Sequence, residues 1–211
     1  MFWYLPCIAL VFFSLIQSVN AQTITWTGAG DGVHWSDAAN WDLDQIPSEM
    51  NDAIVPNGFT TVIDASITVN SIVIEGTSEV DLSSALSINS TFSINSAATL
   101  NWEAGTIASG TVINAGTINV IGDFGKSIIG GTTVQNEGIM NWLGTGTLTL
   151  NDGTINNSGL IDLQLPSLIQ QSGTGGVVNN SGTFRKSVGD GQTTLSLTFN
   201  NVDGTIDVQI G

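Results

Sequence analysis

Few side chains in this chain of 211 residues could carry out chemistry. His34 is the single histidine, and the single cysteine, Cys7, lies in the apolar N-terminal stretch. Nucleophilic catalysis pairs a serine or cysteine with a base, and no Gly-x-Ser-x-Gly motif is present. Zinc sites need several imidazole or thiolate ligands, so these residue types predict no zinc site.

Carboxylates are the abundant reactive group, with 18 acidic residues against three basic ones. Paired carboxylates can hydrolyse a glycosidic bond, and a polysaccharide lyase would require Arg185 or Lys186 beside an acid. However, Asp162 and Asp207 are spaced like ordinary outward positions, and a loop at 185–194 would place Lys186 in water. A polysaccharide hydrolase or lyase is therefore the alternative to a protein without catalysis, and no residue is predicted to be catalytic.

The segment ITWTGAGDGVHWSDAANWDLDQIPSEMNDAIVP (24–56) concentrates tryptophan and aspartate. Trp35 and Trp41 are candidate glycan contacts, because indole rings stack on sugar faces while nearby carboxylates bind hydroxyl groups. The interpretation we favour is structural, since the end of a repeat fold must be covered and each indole buries a large area. A Trp-rich N-terminal cap is therefore expected.

Three aspartates of the same segment are a candidate calcium site: Asp31, Asp37 and Asp42. Calcium takes oxygen ligands, but neither the EF-hand pattern nor the Gly-Gly-x-Gly-x-Asp repeat is present. We therefore expect no cofactor and keep Ca²⁺ as the single metal that these residue types would suit.

The first 21 residues, MFWYLPCIALVFFSLIQSVNA, combine an apolar run with a small-residue cleavage pattern. This pattern predicts a secretory signal peptide at 1–21, and no second apolar span follows in the mature chain. A formal net charge of −15 argues against nucleic acid and anionic lipid as partners, since both require a basic surface. A secreted or cell-surface protein is expected.

A repeat fills the second half of the chain. Its five copies are VINAGTINV (112–120), VQNEGIMNW (134–142), INNSGLIDL (155–163), VNNSGTFRK (178–186) and FNNVDGTIDV (199–208). The shared Asn recurs at steps of 22, 21, 23 and 21 residues, and a fixed period in this range marks a solenoid. Apolar and polar residues alternate every second position around it, which is the period of a β-strand.

Each repeat has a corner of the form Asn-x-Gly, lengthened in the last repeat to Asn-x-x-Gly at 201–204. The asparagines are predicted to form an amide ladder, in which each side chain donates to one neighbouring coil and accepts from the other. The glycines are predicted to provide positive φ at the corner. The ladder and corner residues are Asn114, Asn136, Asn157, Asn180 and Asn201, with Gly116, Gly138, Gly159, Gly182 and Gly204.

The predicted fold is all-β: a right-handed parallel β-helix of about 22-residue coils. The predicted divisions are a signal peptide (1–21), a Trp-rich capping segment (22–60) and a repeat domain (61–211). In the final GTIDVQIG (204–211), apolar residues alternate with no segment to cover them, so this end is expected to pair with another copy or with a continuation of the solenoid.

The Trp–Gly–Asp–Trp–Asn-Trp–Pro arrangement of 24–56 and the Asn-x-Gly-Thr-hydrophobic repeats resemble secreted bacterial β-helix proteins of the adhesin and autotransporter-passenger type. The likeness covers nearly the whole mature chain. It implies a secreted or cell-surface protein that acts in adhesion or as a structural stalk. The function predicted is a non-enzymatic structural or adhesion module, and the alternative is an extracellular protein that binds or degrades polysaccharide on the same scaffold.

Overall fold

The computed structural model describes residues 20–209, and these form a β-solenoid of three parallel sheets. The chain passes through a first, a second and a third sheet in turn, and each turn adds one strand to each sheet. The smallest sheet has seven strands, so the stack contains about seven turns. The predicted all-β solenoid of stacked parallel strands is confirmed.

The strands are short, mostly of four residues. The first sheet contains β1 (Gln22–Thr25), β2 (Asn51–Val55), β5 (Ser71–Ile74), β8 (Thr91–Ile94), β11 (Thr111–Asn114), β14 (Thr133–Asn136), β17 (Thr154–Asn157), β20 (Val177–Asn180) and β23 (Thr198–Asn201). The second contains β3 (Thr60–Ile63), β6 (Glu79–Leu82), β9 (Thr99–Trp102), β12 (Thr117–Val120), β15 (Ile139–Trp142), β18 (Leu160–Leu163), β21 (Thr183–Lys186) and β24 (Thr205–Val208). The third contains β4 (Ile67–Val69), β7 (Leu86–Ile88), β10 (Gly105–Ala108), β13 (Lys126–Ile129), β16 (Leu148–Asn151), β19 (Leu168–Gln171) and β22 (Thr194–Ser196).

The interior of the coil stack follows from the two-residue alternation. Inward side chains of successive coils lie in register, as in the buried column of Val112, Val134, Ile155 and Val178. Stacking places each apolar side chain between two similar ones, so a coil that cannot bury its inner face alone buries it against its neighbours. The core therefore runs continuously along the rod.

The N-terminal segment combines repeat strands with an irregular covering. Strands β1 and β2 already belong to the first sheet, while residues 26–50 between them contain one short 3₁₀ turn, Ala38–Asn40. The predicted signal peptide lies outside the described residues over 1–19, as does Ile210. Over residues 20–209, no helix has the length and apolar character needed to cross a membrane.

Three tryptophans fill the N-terminal end of the core. Trp41 packs edge-on against both Trp26 and Trp35, with ring centroids 5.0 and 4.5 Å apart. The indole N–H of Trp41 donates to the carbonyl of Trp35 at 3.0 Å, which fixes its ring orientation. This cluster closes the first coil, as the capping interpretation predicted.

The corner between the first and second sheets changes type along the rod. In the first three coils it has four residues (56–59, 75–78 and 95–98), and the preceding strands end in Val55, Ile74 and Ile94. From β11 onward it shortens to two residues, or three in the last coil, and each strand ends in asparagine. We call the aligned last positions of the first-sheet strands the corner column.

Candidate functional site

The five asparagines of the corner column form one continuous amide ladder. Each side-chain Nδ2 donates to the Oδ1 of the next asparagine at 2.6 Å, from Asn114 through to Asn201. The second proton of each Nδ2 is used as well, since Asn136 and Asn157 also donate to the carbonyls of Leu160 and Thr183. Asn136, Asn157 and Asn180 are buried and paired on both sides, so they stabilise the rod. At the two ends of the ladder, Asn114 is buried with an unpaired Oδ1 and Asn201 is exposed.

The glycines of the corner serve a different purpose from the one predicted. None of Gly116, Gly138, Gly159, Gly182 and Gly204 has positive φ. A Cβ on Gly159 would instead overlap the carbonyl oxygen of Gly138 in the previous coil, and Gly138 meets Gly116 in the same way. The prediction of positive φ was wrong: glycine is required because stacked two-residue corners bring backbone against backbone.

A second column of amides faces solvent on the first sheet, one position before each buried asparagine. This outer amide column consists of Gln135, Asn156, Asn179 and Asn200, paired in register across β14, β17, β20 and β23. Asn179 donates to Asn156 at 2.8 Å, and Asn200 donates to Asn179 at 2.9 Å. In the aligned repeats an amide residue stands directly before each of these ladder asparagines. The sequence alone did not indicate a role for this column.

Trp35 and Trp41 do not offer a surface to a sugar. Their exposed fractions are 0% and 1%, so neither ring has a face that could stack on a pyranose. The interpretation of these residues as glycan contacts was wrong, because their large apolar area is spent on closing the first coil. Their sequence neighbourhood fitted both roles equally well.

Aspartates of the cap bind donors of their own segment. The Asp31 carboxylate accepts the backbone N–H groups of Val33 and His34 at 2.9 Å and the His34 Nδ1 at 2.6 Å. These hydrogen bonds, with one from Asn40, hold the pKa of Asp31 far below its usual range, and the Asp31 contact raises the pKa of His34. The hydrogen bonds to Asp31 stabilise the conformation of the cap.

The remaining candidate calcium ligands are also occupied. Asp37 accepts the N–H groups of Asp31 and Ala39, and Asp42 accepts that of Thr25. No group of three or more histidine, cysteine, aspartate or glutamate side chains within residues 20–209 is arranged to hold a metal ion. The predicted triad of Asp31, Asp37 and Asp42 therefore does not converge on one point.

The three basic side chains are all bound internally. Arg185 donates to Asp162 at 2.8 Å, Lys126 to the carbonyl of Phe124 at 2.9 Å, and Lys186 to the carbonyls of Val188 and Gly189 at 3.1 Å. Lys126 is 1% exposed, and burial lowers its pKa.

Lys186 lies in β21 and is buried, so the expectation that it points to water from a loop was wrong. Within residues 20–209, the outer surface of the rod therefore displays acids, and each lysine and arginine side chain is hydrogen-bonded within the protein.

The C-terminal end of the rod is apolar and open. A cavity of about 610 Å³ is lined by the side chains of Phe184, Leu195 and Phe199 and by the inward positions of β24, Ile206 and Val208. Ile206 and Val208 are 56% and 65% exposed, since no further coil lies over them. This end has nothing equivalent to the tryptophan cluster of the opposite end within the described residues.

Comparison with known proteins identifies no relative: no family, no curated protein and no solved structure matches the chain. The adhesin resemblance therefore rests on the sequence pattern alone, and what the structure itself defines is a β-solenoid scaffold. The function must be inferred from its surfaces.

Proposed function

We propose that the protein is a non-enzymatic structural or adhesion module, secreted or displayed at the cell surface. The observation that carries the proposal is the continuous amide ladder inside a rod that is tightly capped at one end. Buried amides that are paired from coil to coil resist local opening, and a rod with a polar surface is suited to present contacts at a distance from its attachment point.

The composition of the surface supports an extracellular setting. Amides and hydroxyl groups fill the outward positions, and the basic side chains are bound internally. This leaves an acidic surface, and a formal net charge of −15 favours solubility. The proposal includes the predicted signal peptide and assigns no cofactor to the protein.

A retention assay tests this function. Beads coated with the purified protein, or with heat-unfolded protein as control, are passed over bacterial cells and insoluble polysaccharides, and released reducing sugar and unsaturated uronate are measured. Retention of the folded-protein beads without product release is the expected result. Product release would support a hydrolase or lyase instead, and failure to be retained on any surface would overturn the adhesive role.

The open C-terminal end supports a partner of the same architecture. Its edge strands present unpaired backbone groups beside an apolar cavity, and both would be satisfied by another β-solenoid coil, either from a second copy or from a continuation of the solenoid. Negative charge would oppose association at low salt and permit it as screening increases. Light scattering of residues 22–211 across a salt series tests this, and a monomer at high salt and high concentration would contradict association with a second copy.

A further inference from the structure

A shallow groove of about 250 Å³ runs along the first sheet beside the two-residue corners. It is lined by three members of the outer amide column, by corner residues and by two ladder asparagines: Gln135, Asn156, Asn179, Glu137, Ser158, Ser181, Val202, Asn157 and Asn180. We propose that this groove binds an extended, neutral chain of β-1,4-linked sugars whose axis lies along the rod.

The free hydrogen-bonding capacity of the amides matches sugar hydroxyl groups. Asn179 uses one Nδ2 proton on Asn156, which leaves its second proton for a ligand. An amide offers a donor and an acceptor side by side, and a vicinal pair of hydroxyl groups presents the complementary set. The side chains of Asn156 and Asn179 are half-buried, so their positions are fixed before a ligand binds.

The spacing of the column suits a polymer. Parallel strands are about 4.8 Å apart, which is comparable with the length of one sugar unit in an extended β-1,4-linked chain. Successive sugars would therefore lie beside amides of successive coils, and equivalent edges would recur on every second sugar because neighbouring units of a β-1,4-linked chain alternate in orientation. Weak contacts of this kind add up along one chain because each bound sugar holds the next one close to its own site.

Charge decides between neutral and acidic polysaccharides. The protein has a formal net charge of −15, and Glu137 lies in the groove wall. A polyuronate would meet repulsion without a compensating cation, because the basic side chains are bound elsewhere. At the end of the groove, Val202 is 63% exposed and provides an apolar contact for the C–H face of a sugar ring.

The chain offers a matched control on another face. In the second sheet, Asn141 donates to Asn119 at 3.1 Å, which repeats the same amide pairing outside the groove. The test compares the double variant Asn156→Ala/Asn179→Ala with the control Asn119→Ala/Asn141→Ala. A host without N-glycosylation is used for expression, because Asn156 and Asn179 begin Asn-x-Ser sequons.

Isothermal calorimetry with cellohexaose, mannohexaose and the β-1,4-linked hexamannuronate gives the outcome. We expect saturable binding of at least one neutral hexasaccharide, weakened about tenfold or more by the groove variant and less than about twofold by the control. Absence of neutral binding, equal loss in both variants, or tighter binding of hexamannuronate would overturn the proposal. The inference names a ligand for the proposed adhesion, and retention on cells without hexasaccharide binding would refute it while leaving adhesion intact.

Discussion

The first three coils and the later coils solve the same packing problem at the first corner in different ways. In the early coils the corner column is apolar, with Val55, Ile74 and Ile94 buried under four-residue corners. In the later coils the same column is amide, and the corner is compressed until glycine is the residue that fits. The compact corner thus replaces apolar burial by hydrogen bonds, which are directional and fix the register of each coil.

The junction between the two regions is imperfect. Asn114 begins the ladder, and its Oδ1 is buried without a hydrogen-bond donor because Ile94 occupies the position below it. Each ladder amide donates toward the C-terminus, so this acceptor is the one left over. The junction between early and late corners therefore leaves one buried acceptor unpaired, which destabilises the protein. Substitutions at this junction can increase or relieve that destabilisation.

The largest effect is expected from a methyl group at a compressed corner. Gly159→Ala would place a Cβ against the carbonyl of Gly138 and should destabilise the protein by about 3 kcal/mol or more. Gly125→Ala is the control, because it has open space and no positive φ, and it should change stability by less than about 1 kcal/mol. Urea unfolding followed by circular dichroism measures both, and equal midpoints would contradict close approach as the reason for glycine.

An amide placed among the early coils should cost nearly as much. Ile74→Asn lies between Val55 and Ile94, so its side chain would be buried without a partner at a cost of about 3 kcal/mol. Ile94→Asn can instead donate to the free Oδ1 of Asn114 and should cost at least about 1 kcal/mol less. Melting temperatures rank the two variants, and the reverse order would show that the early corner cannot accept a ladder.

Removing one rung of the ladder should have a moderate effect. Asn157→Ala leaves the donor of Asn136 and the acceptor of Asn180 without partners and should destabilise the rod by roughly 1–3 kcal/mol. Asn141→Ala removes an amide from a half-buried pair and serves as control. If thermal unfolding showed the same melting temperature for Asn157→Ala and the parent protein, the buried ladder would contribute nothing to stability.

The smallest expected effect is a pH dependence of stability that is present in the cap and absent from the ladder. The ladder does not titrate, whereas the cap over the first coil contains His34, whose pKa is raised from 6.5, and Asp31, whose pKa is lowered from 3.8. Stabilisation by Asp31 is present above pH 3.8 and lost as pH falls, while stabilisation by His34 is present below pH 6.5 and lost as pH rises through its raised pKa.

Hydrogen-exchange protection factors, which divide out the intrinsic pH dependence of amide exchange, should therefore be highest between these limits for residues 26–41. Protection factors of residues 154–163 should show no such maximum. The variant His34→Gln should abolish only the loss of protection at alkaline pH. If that loss persisted in this variant, a group other than His34 would be responsible for it.

The register of the late coils could be predicted from sequence because each repeat carries its own marker. Aligning Asn114 with Asn136 also aligns the strands on either side, and the two-residue alternation then decides which side chains face inward. The amide ladder follows from the same alignment. The early coils lack the asparagine, so their corner type could not be read in this way.

Features that depend on the three-dimensional path of the chain were not predictable. Trp35 and Trp41 fit a sugar platform and a buried cap equally well, because local sequence does not specify which surface they meet. Lys186 occupies an inward strand position. Only the path of residues 187–189 shows that two backbone carbonyl groups accept hydrogen bonds from its ammonium group. The groove likewise needs three stacked coils before its shape exists.

The compressed corner also determines how such a chain can change length. Every rung between Asn114 and Asn201 makes the same bonds to the rung before and after it. Duplicating one coil of the late region would leave all existing bond types intact and add one rung, whereas inserting a few residues would break the column. The length of the rod is therefore expected to change in evolution by whole coils, in steps of about 4.8 Å.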